Sequence, residues 1–68
     1  MRWVAVSRVY VAVAERDGDW WLITVPELDI VTQARRLDQI DHQARDLIAT
    51  WLDVDYATVE VDVDVRNP

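Results

Sequence analysis

The side chains able to do chemistry are few and mostly acidic. The chain has 68 residues, with thirteen acids, seven arginines, no lysine, one histidine and no cysteine. Glu60, Asp62 and Asp64 alternate with valines, so in an extended chain they share one face, about 6–7 Å apart in succession. Two-metal nuclease chemistry needs carboxylates clustered around ions about 3.5–4 Å apart, and the stretch from Ser7 to Ala14 offers none to join them. The row reads instead as a solvated acidic face on an edge strand and, functionally, as a contact surface for a basic protein. His42 stands four residues from Asp38 and from Asp46, the pattern of exposed helical pairing; a general base needs a cleft and a positioned partner. Ser7 is the only serine, and no nucleophile motif surrounds it. Arg35 and Arg36 form the only adjacent basic pair, either a phosphate or carboxylate clamp or a solvated loop. The excess of acids argues against nucleic-acid binding by this pair. No catalytic, metal-binding or cofactor-binding residue is expected, and the chain is read as a non-enzyme.

Composition points the same way. The net charge is −6 and the sequence pI about 4.4, which disfavours nucleic acid and favours basic partners. Hydrophobic residues make up 51%, too many for a disordered chain. Without cysteines and with one histidine, neither disulfides nor an imidazole-rich zinc site can stabilise it. Domains this small often rely on association for stability, so a homodimer or higher oligomer is expected. No signal peptide and no apolar run near 18 residues is evident, which suggests a soluble cytoplasmic protein without membrane contact. One domain over residues 1–68 is expected, with the role of residues 1–6 left open.

The elements that must carry these residues follow from periodicity. Ser7 to Ala14 sets Val9, Val11 and Val13 against Arg8, Tyr10 and Ala12, a strand pattern. Asp17-Gly18 signals a hairpin, and Trp20 to Val25 returns as a second strand. Pro26 ends it, Glu27-Leu28-Asp29 turns the corner, and Ile30 to Ala34 forms a short third strand. From Leu37 to Leu52 the period is helical, with Leu37, Ile40, Ala44, Leu47, Ile48 and Trp51 on one stripe. Thr58 to Val65 then alternates without exception. The predicted architecture is β-β-β-α-β, an α+β fold with sheet order 3-2-1-4, the last strand parallel to the first and the helix on one face.

One helix covers one face, yet the second strand is apolar on both. Trp20, Leu22 and Thr24 point one way; Trp21, Ile23 and Val25 point the other. The sequence leaves open which tryptophan faces outward. Tyr10 and Ala12 lie opposite the valines of the first strand. A patch with a tryptophan, an isoleucine and a tyrosine, on the order of several hundred Å², marks an interaction site. The expected partner-binding residues are therefore Tyr10, Trp20 and Trp21 on an apolar face suited to self-association, and Glu60, Asp62 and Asp64 on a separate acidic surface. Alternatively, the segment with Trp3 folds over the apolar face. Trp51 is expected to pack in the core.

The run Asp17-Gly18-Asp19-Trp20-Trp21-Leu22-Ile23-Thr24-Val25-Pro26-Glu27-Leu28 resembles the HicB antitoxin family, in which a glycine-containing hairpin leads into a strand ending in Pro-Asp/Glu-Leu. Val31-Thr32-Gln33-Ala34, Leu37-Asp38-Gln39-Ile40 and Ala44-Arg45-Asp46-Leu47-Ile48-Ala49 are similar to its strand-then-helix pattern. The resemblance spans roughly Val9 to Val65. It implies a partial RNase H-like fold and, as partner, a HicA-type toxin, a small basic mRNA interferase of double-stranded-RNA-binding-like fold whose active surface the antitoxin covers. The chain departs from the pattern at Asp29-Ile30, where many members have Pro-Gly-Cys, and at Ala34, where a glycine is usual. Many members carry a helix-turn-helix or ribbon-helix-helix domain after the last strand; none is expected here, so operon autoregulation by this chain alone is not expected. The alternative is an orphan or phage-borne homo-oligomeric module without a toxin.

Overall fold

The computed structural model describes residues 8–66. Four strands and one α-helix follow in the order β1 (Arg8–Asp17), β2 (Trp20–Val25), β3 (Ile30–Ala34), α1 (Ile40–Leu52) and β4 (Val59–Arg66). Single 3₁₀ turns at Leu37–Gln39 and Tyr56–Thr58 flank the helix. The strands form one sheet in the order β3-β2-β1-β4. β1 and β2 are antiparallel, as are β2 and β3, and β1 runs parallel to β4. This is the predicted α+β architecture and strand order. None of the described helices is long and apolar enough to cross a membrane.

The local chemistry explains the turns. Asp17 pairs with Trp20, so the β1–β2 loop is Gly18-Asp19, one residue later than the Asp-Gly pair the sequence suggests. Gly18 has φ 62°, as required at the first central position of a type II′ hairpin turn. After Pro26, the amide of Leu28 donates to the Val25 carbonyl and that of Asp29 to the Pro26 carbonyl, both at 3.2 Å. Asp29 takes a left-handed φ of 55°, a conformation aspartate tolerates better than most residues. At the far end of α1, the amide of Val54 donates to the Ala49 carbonyl and that of Asp53 to the Thr50 carbonyl. Together with the left-handed Asp53 (φ 57°), this is a Schellman ending.

The core lies between α1 and one face of the sheet. The sheet contributes Tyr10, Ala12 and Ala14 from β1, Trp21, Ile23 and Val25 from β2, Ile30 and Ala34 from β3, and Val59 from β4. The helix contributes Ile40, Ala44, Ile48 and Ala49. Five of these side chains are alanines, and small residues let a helix approach a sheet closely. Ile23, Ile40 and Ile48 fill the centre of this core and are almost wholly buried, each stabilising the fold by about 1.5–3 kcal/mol relative to exposure.

Two expectations fail here. The patch expected to bind a partner through Tyr10, Trp21 and Ile23 is instead the covered face: these side chains are 8%, 7% and 0% exposed. The β1 residues facing the helix are Tyr10, Ala12 and Ala14, which turns the valines of β1 outward. Conversely, Trp51 is not in the core; it is 61% exposed. Leu37, the other end of the supposed stripe, lies exposed in the 3₁₀ turn before α1. The alternative placement of Trp3 over the sheet lies outside the described residues.

Candidate protein-docking face

The face that α1 leaves uncovered follows from the register. Val9 pairs with Glu60, Val11 with Asp62 and Val13 with Asp64. Val13 also pairs with Thr24, and Thr24 with Val31. Alternation places Val9, Val11, Val13, Leu22, Trp20 and Val31 on the same side of the sheet as the acids of β4. Val9 and Val11 are 54% and 44% exposed. The apolar row and the acidic row are therefore neighbours on one surface, not two surfaces as expected.

Each predicted site residue can now be placed. Glu60, Asp62 and Asp64 are exposed along β4. Arg66 reaches back to Asp64, with an N–O distance of 3.1 Å; Asp62 makes no ion pair among the described residues. Trp20 is on the open face, with the Arg35 guanidinium 4.4 Å above its ring. This cation–π contact is the arrangement the register dictates, since Arg35 follows Ala34, the partner of Trp21. Tyr10 and Trp21 lie on the opposite face, under the helix. Trp21 carries Arg16 above its ring at 5.5 Å, and the Arg16 Nε donates to the Gly18 carbonyl, so this pair braces the hairpin.

The polar groups on the helix side serve structure. Arg45 donates to Asp41 one turn earlier and to the backbone carbonyl of Val59, tying the helix to the start of β4. The Asp41 hydrogen bond holds the Arg45 pKa above its ordinary value. His42 Nδ1 lies 3.0 Å from the Tyr56 hydroxyl on the exposed side of α1, not against Asp38 or Asp46. Arg36 is paired with Asp38 at 2.7 Å, whereas Arg35 is the arginine over Trp20; Arg66 closes the acidic row at the end of β4. Among the described residues no group of three or more histidines or acids is placed to hold a metal.

Sequence reasoning missed that Val9, Val11 and Val13 turn away from the helix, with Val9 and Val11 exposed, because a run of valines reads as core. The available signal was the alternation of alanine opposite them. It also missed an apolar group at the end of α1, where Trp51, Leu52, Val54 and Tyr56 are exposed. No family model, curated protein or solved structure matches the chain.

Proposed function

We propose that the chain is an antitoxin-like protein-binding module that receives a small basic protein on its open sheet face. The observation that carries this reading is the adjacency of Val9, Val11 and Val13 to Glu60, Asp62 and Asp64 on one uncovered surface. The valines offer area whose burial drives association, and the acids select and steer a basic partner. A HicB-like, partial RNase H-like identity accommodates both features. It names the partner as a HicA-type mRNA interferase in the cytoplasm, held inactive because its basic surface is covered. Trp20, edged by Arg35, extends the contact towards β3.

Co-expression with the product of a neighbouring gene for a small basic protein tests the reading. Wild-type chain is expected to retain that protein through purification and relieve its toxicity. Val11→Asp, or Asp62→Arg with Asp64→Arg, is expected to weaken the complex about ten-fold or more, as central contact residues do. Retention unchanged by both variants would refute the open face as the docking surface.

The second reading is a homo-oligomeric module without a toxin, favoured by the exposed Trp51, Leu52 and Val54 at the end of α1. Sedimentation of the chain alone tests it: a strict monomer at micromolar concentration refutes it, and a dimer dispersed by Trp51→Glu supports it.

A further inference from the structure

We infer that the basic partner contributes a strand to the outer edge of β4, and that this strand alternates basic and apolar residues. The inference rests on the reading of the chain as a module for a basic protein and specifies what that protein presents. Among the described strands, β4 ends the sheet and is paired only on its inner side, with β1. Every second residue of an edge strand points its N–H and C=O outward, a template for another chain. Arg45 already occupies the Val59 carbonyl, so the open template runs over residues 60–66.

The side chains of β4 define what fits. Glu60, Asp62 and Asp64 rise on the open face, whereas Val61 and Val63 are half-buried and Val65 is exposed on the helix side. A strand added about 4.8 Å away sets its residues directly opposite these. One set of its side chains then meets the carboxylates of Glu60, Asp62 and Asp64, ending short of Arg66, and the alternate set covers the valines. Basic and apolar residues in strict alternation satisfy both.

Charge excludes the obvious competitors. Antiparallel pairing of two copies through β4, with both helices on one side and Glu60 matched to Arg66, sets each Asp62 opposite the other copy's Asp64. Like charges directly opposite destabilise a sheet. The other edge does not compete for a basic strand: β3 spans five residues without an acid and runs into Arg35-Arg36. Backbone pairing would supply affinity and the alternate side chains specificity, as in other strand-addition complexes.

The test uses three peptides: an alternating Arg/Val heptapeptide, one of the same composition with its arginines grouped, and the alternating one N-methylated at every backbone amide so that neither edge can donate a hydrogen bond. The alternating peptide is expected to bind about ten-fold tighter than either control. Its binding is expected to slow amide exchange at alternate residues of β4. Equal binding by either control, slowed exchange elsewhere, or no binding of the alternating peptide up to about 1 mM overturns strand addition. If the basic neighbour still co-purifies in an open-face-dependent way when the peptide fails, only this inference falls; if that co-purification also fails, the proposed function falls with it.

Discussion

The two faces of this sheet invert the usual relation between hydrophobicity and burial. On β1 the covered side carries Tyr10, Ala12 and Ala14, and the uncovered side carries Val9, Val11 and Val13. By side-chain transfer energy the valines belong inside. The covered side of β1 instead shares one core with Ala44 and Ala49 of α1, where side chains as small as Ala12 and Ala14 fit. Shape thus decides which face the helix takes, and the apolar surface left over becomes available for binding. On β4 the same two faces divide in the ordinary way, valines under the helix and acids in solvent. The open face therefore combines an unusual strand with an ordinary one, and that pairing gives it both apolar area and charge.

The sharpest way to test this contrast is to truncate one residue on each face. Ile48→Ala removes a wholly buried side chain and is expected to cost about 2–5 kcal/mol. Total stability for a domain of this size is about 3–10 kcal/mol, so the variant is expected to be largely unfolded or close to it by urea denaturation. Val11→Ser, on the open face, is expected to stay within about 0.5 kcal/mol of wild type while weakening partner binding. Equal destabilisation by the two variants would mean that the open face is buried in the isolated chain.

A smaller effect isolates the role of the alanines. Ala12→Leu adds bulk at a wholly buried core position and is expected to destabilise by about 1–3 kcal/mol through overpacking. If fit and not hydrophobicity fixes the covered face, Val11→Leu next door should be close to neutral in the same denaturation measurement. A stabilising Ala12→Leu would show that the helix has slack, and the explanation for the outward valines would fail.

These residues also show what the sequence could convey. The strict alternation of Val59 to Val65 fixes β4 and the side its acids occupy. Gly18 fixes the hairpin to within one residue, and Ile40, Ala44 and Ile48 fix the buried side of α1. The covered face of β1 and β2 is not legible, because both faces are apolar and period-two alternation is symmetric between them; only the packing of α1 on the sheet breaks the tie. The exposure of Trp51 is not legible for a related reason. Its angular position matches Ile40 and Ala44, but periodicity says nothing about how far a helix runs past the sheet beneath it. The adjacency of the valine and acid rows depends on the parallel β1–β4 register, a contact between residues some fifty positions apart.

The smallest expected effect lies where the helix leaves the covered face. Asp53 holds a left-handed conformation at the Schellman position, where glycine is the usual residue, and its carboxylate sits at the negative end of the helix dipole. Asp53→Gly removes both penalties. It is opposed by the larger unfolded-state entropy of glycine, about 0.5–1 kcal/mol, against about 1–2 kcal/mol for the left-handed backbone, which leaves a small expected net gain, seen as a higher urea midpoint with an unchanged slope. Asp53→Asn separates the two causes, since it removes the charge and keeps a side chain that tolerates this conformation. If Asn recovers most of the gain, the dipole dominates; if only Gly does, backbone conformation dominates. Neither change touches the open face, so partner binding should remain at the wild-type level. A shift in binding with Asp53→Gly would extend the docking surface to the end of α1, where Trp51 and Val54 are exposed, and would end the assignment of binding to the open face alone.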